Sequence, residues 1–495
     1  MSFEVESPTA LGEAIDARVV CTKKNTHKDS EKQQDTQKTA QEFLLSYLAD
    51  TAGMCIEGKG KEDERINAKT AAEFSMLIER YLTGVDGDNI PRYIYADSLF
   101  SCRCYNGRYY ERIDLSAFSF LIKRFLVESQ VGVVYQQNCP KKIAEEVFAT
   151  LWHTGQRWQP DSRYFVFCNG VLDIENMSLV PFSLAYQTNN IFDFDFTENA
   201  NCPMFEKALN DALDTDTANV LQELFGYQLF SDARHEKIGV LVGCGRNGKS
   251  VILKAVAHAL GKERVTNYSL PQITEKSGIH ISAMVGKMAN ICFDSGSVVK
   301  VGDEAIFKQY VSGEPILCKQ LYQQPYLTTD YPQSVIAVNT LPQSSDMSDG
   351  WFRRMLIIEF PRQIPIEQVD TQLFEKLKEE QMGILLWVLE GMRRLIHQEH
   401  FSTSKAIEDV AIQYRKDIDS VALWLDERRY FPSNKESVTL ANLFENYDKW
   451  RETNRFSAMR QTTFRKRLEA LKYRVYKSGT TVVGIEQKID ETLPF

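Results

Sequence analysis

The chain has 495 residues, of which 43% are hydrophobic and 25% charged, and its net charge is −9. The length exceeds one ordinary domain and implies roughly two to four of them. The composition is that of a soluble globular protein, no apolar run approaches the ~20 residues that span a bilayer, and residues 1–7 (MSFEVES) lack the basic and apolar regions of a secretory signal, so the expectation is a cytoplasmic protein with no membrane partner.

Near the N-terminus the stretch CTKKNTHKDSEKQQDTQKTA carries almost no apolar side chains and cannot offset the entropy of ordering, which predicts a disordered arm over residues 1–41. From Phe43 to Trp158 helical patterns alternate with short aromatic runs such as Tyr109-Tyr110 after the turn Asn106-Gly107, which fits an α+β accessory domain. Tyr164 to Ile174 reads as two strands about Asn169-Gly170. Residues 203–232 have helical apolar spacing with polar caps at Asp214 and Asp216, a helical collar. The ten cysteines include no CxxC pair and are expected to be reduced and mostly buried, neither zinc ligands nor disulfides.

The apolar run Ile238 to Val242 is followed by GCGRNGKS and then by an apolar helical pattern. Gly243, Gly245 and Gly248 let successive backbone N–H groups face an anion, with Asn247 between them, and the helix that follows turns its positive end to the same place. In this P-loop pattern Lys249 would reach the β- and γ-phosphates of ATP and Ser250 would ligate Mg²⁺. Downstream, the buried strand ending in Asp294 supplies a candidate Mg²⁺ carboxylate, and the strand Ser334 to Val338 ends in Asn339, placed to orient a water. Asp349 to Arg354 puts two guanidinium groups, Arg353 and Arg354, ahead of the strand Met355 to Phe360. An arginine offered to a neighbouring subunit's phosphate is one reading; a surface pair is the other. Residues 313–327 read as a hairpin around a polar tip that carries Lys319 toward a phosphate backbone.

Between Trp450 and Lys477 nine Lys and Arg face two acids, a +7 segment in a −9 chain, which leaves −16 for the remainder. Such a segment is either a nucleic-acid contact or a solvated basic face. Phe464, Leu468 and Leu471 form the apolar stripe of a helix whose other face carries Arg465, Lys466 and Lys472, with Arg465, Lys466 and Arg467 the candidate DNA contacts, and two strand-like runs follow about Ser478-Gly479. Helix, basic helix and hairpin make a winged-helix pattern, DNA-binding or structural.

Glycine loop, Asp-ended strand, hairpin lysine, Asn-ended strand and arginine pair, all between Gly243 and Arg354, resemble in their order the superfamily 3 helicases of the AAA+ class. More narrowly the chain is similar to the helicase part of phage and plasmid primase–helicases and to poxvirus-type NTPases. NGVLD (169–173), CPMFEKALNDAL (202–213), LQELFGYQLF (221–230) and VNTLP (338–342) carry the same resemblance. It implies an α/β fold, with an AAA+ P-loop core at 236–362 between a collar at 196–235 and a helical lid at 363–418. An α+β accessory domain at 42–195 and a winged helix at 419–495 complete it. It also implies a hexameric ring that hydrolyses ATP with Mg²⁺ at subunit interfaces and works on single-stranded and forked DNA. Lys319 would then be the pore contact, and Arg353 or Arg354 the finger acting in trans.

Two departures stand out. Asp294 is followed by Ser295-Gly296 where the family has a glutamate, which leaves the general base open between Asp294, Asp303 and Glu304. The region before Tyr164 is too short for the family's primase domain, so a separate primase or polymerase is expected. The expected function is an ATP-dependent DNA helicase for replication of a phage, plasmid or integrated element. The rival is a DNA-bound AAA+ switch or initiator that assembles without processive unwinding; a small-molecule P-loop kinase explains neither the arginine pair nor the basic segment.

Overall fold

The computed structural model describes residues 94–98, 101–128, 139–153, 155, 157–294, 301–319, 325–342, 348–454, 456 and 458–487. The expected arm at 1–41, the helical pattern at 43–48, Ser295-Gly296 and the tip of the Lys319 hairpin lie outside them. The chain divides into two compact units, Met1–Glu198 and Asn199–Phe495. Among the described residues no helix is long and apolar enough to cross a membrane.

The first unit contains two small antiparallel sheets. Strands β1 (Ile94–Ser98), β2 (Ser101–Tyr105) and β3 (Tyr110–Asp114) pair in sequence order. The turn between β2 and β3 is held by Asn106 Oδ1, which accepts from the amides of Arg108 and Tyr109 at 3.0 and 2.9 Å, while Gly107 takes φ 93°. Helices α1 (Leu115–Glu128) and α2 (Cys139–His153) share a core with this sheet through Phe118, Leu121, Val147 and Phe148. Strands β4 (Tyr164–Phe167), β5 (Gly170–Asp173) and β6 (Ser178–Val180) form the second sheet; Asn169 in the β4–β5 turn bonds both the amide and the carbonyl of Phe196.

The second unit opens with helices α3 (Pro203–Ala212) and α4 (Thr215–Tyr227). Asp214 caps α4 by accepting from the Thr217 amide at 3.0 Å, and these hydrogen bonds hold its carboxyl below the usual range. Asp216, expected as a second cap, lies in the first turn instead, where its charge suits the positive end of the helix. The sheet then begins with β7 (Ile238–Val242), followed by α5 (Lys249–Ala259), β8 (Val265–Thr266), α6 (Leu270–Ile273), α7 (Ile279–Met284) and β9 (Ala289–Cys292). Helix α8 (Glu304–Val311) leads to the hairpin β10 (Ile316–Cys318) and β11 (Tyr326–Thr328). Strand β12 (Ser334–Val338), helix α9 (Asp349–Phe352) and strand β13 (Met355–Glu359) close the core.

All pairings in this sheet are parallel and its order is β13-β7-β12-β9-β8. Its central strands are near-continuous apolar runs because both faces are covered. On one face Ile238, Val240, Cys292, Ile336 and Ile357 pack with Phe307, Tyr310 and Trp351. On the other, Leu224 of α4 lies against Gly239, where an added Cβ would come within 2.5 Å of the leucine.

Helices α10 (Leu373–Glu379), α11 (Gln381–Gln398) and α12 (Lys405–Ile418) follow. Helix α11 crosses α4 at two facing glycines: a Cβ on Gly226 would sit 2.3 Å from the Met392 amide nitrogen, and one on Gly391 would sit 2.2 Å from the Gln222 carbonyl oxygen. Beside this crossing the fully buried Glu223 accepts from the amide and hydroxyl of Ser402 at 2.7 and 2.6 Å and from Gln398 at 3.0 Å, and pairs with Arg394. Glu380 caps α3 by accepting from the amides of Met204 and Phe205, both at 2.9 Å.

The C-terminal part comprises α13 (Ser420–Glu427), β14 (Tyr430–Thr439), α14 (Leu440–Thr453), α15 (Gln461–Ala470), β15 (Arg474–Ser478) and β16 (Thr480–Gln487). Their core joins Trp424, Tyr447, Trp450, Phe464, Leu468 and Val483. Strand β14 was not anticipated from the sequence: its FPSNKES stretch has no apolar alternation, and the register breaks between Pro432 and Ser437 as a bulge.

Because backbone fills the space facing both glycines, Gly226→Ala and Gly391→Ala should each destabilise the protein by about 1–3 kcal/mol, the range for overpacking. Denaturant midpoints for the two variants check this; unchanged midpoints would mean that α4 and α11 separate without cost.

Candidate functional site

The loop from Gly243 to Gly248 joins the carboxyl end of β7 to the first residue of α5. It needs three residues with positive φ, Gly245 at 79°, Arg246 at 48° and Gly248 at 83°, and two of them are glycine. Gly243 has a steric reason of its own: a Cβ there would lie 2.2 Å from Asn247 Nδ2 and 2.8 Å from the Phe360 carbonyl oxygen. The loop is held from behind by the segment after β13, since the Ile364 amide donates to the Arg246 carbonyl at 2.8 Å and Asn247 Nδ2 to the Phe360 carbonyl at 3.4 Å.

Lys249 is only 4% exposed. Its ammonium donates to the Gly243 carbonyl at 2.6 Å and to Asn247 Oδ1 at 3.2 Å, and burial lowers its pKa although Cys244 and Asp294 act in the opposite sense. The amino end of α5, where the amides of Val251 and Ile252 both donate to the Gly248 carbonyl at 3.1 Å, adjoins the loop. A cavity of about 360 Å³ opens there, lined by residues 245–251, Phe293, Asp294, Ala337, Val338 and Asn339. Gly245, Asn247, Gly248, Lys249, Ser250, Asp294 and Asn339 are thus brought together, at the carboxyl ends of β7, β9 and β12. Such crevices are where open parallel sheets take ligands.

Of the three carboxylates left open as a base, Asp294 lines the cavity. Asp303 instead caps α8, accepting from the amides of Ala305 and Ile306 at 2.9 and 3.1 Å and pairing with Lys276, and these contacts hold its carboxyl below the usual range. Glu304 stands in the first turn of the same helix. Phe293 and the strap at Phe360 and Ile364 were not anticipated as site residues. The strap lies more than a hundred residues from the loop it holds, and a hydrogen bond between main chains leaves no mark in side-chain patterning.

Arg353 and Arg354 are not brought to this cavity. Met355 pairs with Ile238 and Glu359 with Val242, so the arginines precede the amino end of β13, about 15 Å of strand away from the glycine loop. The two differ in environment. The Arg354 side chain is 11% exposed and donates to the Gly350 carbonyl at 2.8 Å and to Ser312 Oγ at 2.8 Å; that of Arg353 is 64% exposed and has a 3.5 Å ion pair with Glu236.

Lys319 is exposed at the end of β10, on a hairpin whose outward Leu317 and Leu327 face each other across the strands. The three basic-helix candidates also part company. Arg467 is bound through two nitrogens to the buried Asp419, Arg465 pairs with Glu469 at 2.9 Å, and Lys466 is exposed. Of the seven cysteines with described side chains Cys102, Cys104, Cys202, Cys292 and Cys318 are buried, in line with the expectation that most are, Cys168 is half-buried, and Cys244 in the loop is exposed.

These environments predict opposite outcomes for neighbouring arginines. Arg354→Ala should destabilise the fold by about 1–3 kcal/mol through the lost charged hydrogen bonds, whereas Arg353→Ala should stay within about 0.5 kcal/mol. Arg467→Ala, which leaves Asp419 buried and unpaired, should cost about 3 kcal/mol. Denaturation of the three variants under one condition tests the ranking, and equal midpoints would refute it.

Two family models match parts of the chain. Residues 92–214 match the D5 N terminal like family, and residues 241–354, which include the glycine loop and the arginine pair, match a family of unknown function, DUF5906. A putative helicase, L207/L206, of Acanthamoeba polyphaga mimivirus is 22% identical over 255 residues, which cover 44% of this chain and 25% of that protein. The chain thus spans about a quarter of the length of this curated relative. Among solved structures, the A-form apo structure of the NrS-1 C-terminal region aligns with a TM-score of 0.43 and 9% identity over 86% of this chain and 100% of that one. A second apo structure of that region gives 0.39 and 10% over 80% and 96%. The chain is a distant relative of D5 N-terminal-like proteins and of a viral protein named as a putative helicase.

Proposed function

We propose that this protein is an ATP-dependent DNA helicase of superfamily 3, acting as a ring of subunits, six by resemblance, on single-stranded and forked DNA. The observation that carries the reading is the cavity at the carboxyl ends of β7, β9 and β12, where a buried lysine, a hydroxyl, a carboxylate and an amide converge on a glycine loop. The loop amides and the start of α5 would cradle the phosphates, with Lys249 transferring its hydrogen bonds from Gly243 and Asn247 to the β- and γ-phosphate oxygens. Ser250 and Asp294 are hard oxygen donors that suit Mg²⁺, which supplies charge neutralisation at the transferring phosphate when bound. Asn339 would orient the attacking water. Since a chain's own arginines stand at the far end of its sheet, the finger must come from a neighbouring copy, and the exposed Arg353 fits that task better than Arg354. The exposed Lys319 would meet the DNA backbone.

One observation favours the rival, an ATP-controlled switch on DNA. Among the described residues that line the cavity Asp294 is the single carboxylate, which fits a site whose hydrolysis lacks a second acid as dedicated base. Strand displacement separates the two readings.

ATP turnover with and without single-stranded DNA, measured beside unwinding of a forked duplex, should give DNA-stimulated hydrolysis and ATP-dependent unwinding. Lys249→Ala should lower both by at least ~10²-fold. Arg353→Ala should lower turnover by ~10³-fold, and mixing it with Lys249→Ala should restore part of the activity, because one variant supplies the cradle and the other the arginine. No recovery on mixing would reject the trans assignment. Lys319→Ala should keep basal turnover and lose DNA stimulation.

A further inference from the structure

The +7 segment divides its charge: on α15 Lys466 is exposed, as is Arg460 at its start, while other cations are engaged. Arg467 is bound to Asp419, Arg465 to Glu469, and Arg451 to Asp448 at 2.6 Å, which draws these cations into the fold or onto their own helices. Lys472, Arg474 and Lys477 are exposed, and all three lie on or beside β15. This strand is at the edge of the sheet β14-β16-β15. Its side chains alternate: Val475, opposite Val483, packs into the core, so Arg474, opposite Gly484, and Tyr476, opposite Val482, share the outward face. There the Arg474 guanidinium lies over the Tyr476 ring, 4.8 Å from its centroid. Val482 beside the ring is 8% exposed and gives the pair an apolar floor. The bulge of β14 folds over the same face at Gly484, where an added Cβ would meet the Ser433 carbonyl oxygen at 2.4 Å, and so walls one end.

We propose that this outward face, built from Arg474, Tyr476 and Val482 and flanked by Lys472 and Lys477, binds single-stranded nucleic acid. A base stacks on the guanidinium–ring pair and the flanking cations meet backbone phosphates. Edge strands carry lysine and arginine simply to discourage strand addition, but that role requires no aromatic ring under the guanidinium. An unpaired base is the ligand that uses both parts, since it offers a π-face to the pair and a phosphate to the cations. A duplex hides its bases inside the stack, so it has no π-face for the pair, and it would call on α15, where Asp419 and Glu469 hold two of the cations and Lys466 stays exposed. The inference draws its choice of polymer from the DNA-directed reading above, but the contact needs no nucleotide.

The test is fluorescence anisotropy of a labelled oligothymidylate of about 20 nucleotides, and of a duplex of equal length, against the full chain without ATP. A Lys319→Ala background keeps the hairpin from masking the result. Tyr476→Ala should weaken single-strand binding by ~10-fold, and Tyr476→Phe, which keeps the ring, should stay within about 2-fold. Arg474→Ala, which takes the guanidinium off the ring, should weaken it by ~10-fold, and Lys477→Ala should lower the slope of log affinity against log salt by about 0.7, one phosphate contact on a single strand. The exposed Arg474 provides a second variant should Tyr476→Ala lose the fold. Unchanged affinity in both Tyr476→Ala and Arg474→Ala, a duplex bound in preference and equally sensitive to them, or no binding of either polymer overturns the proposal. With Lys319 intact, DNA-stimulated ATP turnover that persists in Tyr476→Ala, while affinity in the Lys319→Ala background is unchanged, would sink the platform and leave the motor reading standing.

Discussion

A parallel sheet has two unlike ends, and this molecule uses the difference. With β7, β9, β12 and β13 all running the same way, everything that follows a strand gathers at one edge and everything that precedes a strand gathers at the other. The loop after β7, Asp294 after β9 and Asn339 after β12 therefore meet, although about 45 residues separate each from the next. The arginines before β13 are carried away from them by the same rule. No side-chain movement within one chain shortens that separation, because the strand register fixes it. A single backbone property thus divides the polar groups into a set that lines one cavity and a pair of arginines at the opposite edge, of which only Arg353 is largely exposed.

The glycine loop depends on a second restraint, its backing by the segment that leaves β13. Asn247 stands between Phe360 and Lys249 and bonds both, so the loop, the lysine and the end of an adjacent strand share one small hydrogen-bonded group. Close packing extends this, since any side chain at Gly243 would collide with Asn247 and Phe360. The loop is positioned by contacts with the segment that leaves β13, and residues 245–251 are left to line the cavity.

How much of this could be read from the chain depended on the range of the interaction. The strands at 238–242, 289–292, 334–338 and 355–359 were legible because strands buried on both faces must be continuous apolar runs. The loop was legible because its backbone demands glycine locally. By contrast, nothing near Arg354 or Arg467 in sequence announces Ser312 or Asp419, so neighbouring arginines of equal formal charge looked interchangeable. Strand β14 was missed because its pairing with β16 is interrupted by the bulge at 433–436, where polar residues replace alternation. Local rules gave the elements and the cradle, whereas the sorting of free from engaged cations required the partners contributed by distant segments.

The crossing of α4 and α11 bears on how the chain reaches this structure. Gly226 and Gly391 are 165 positions apart, and the Glu380 cap on α3 and the Glu223 cluster with Ser402 span still more. These contacts close a loop that contains the entire parallel sheet, and loop-closure entropy must be met before they reward it. During synthesis the apolar faces of α3 and α4 emerge first and remain without their partner until α11 has been made. The glycine crossing is therefore a late, long-range seal, and the early helices are the part of the chain with the greatest need of protection before it forms.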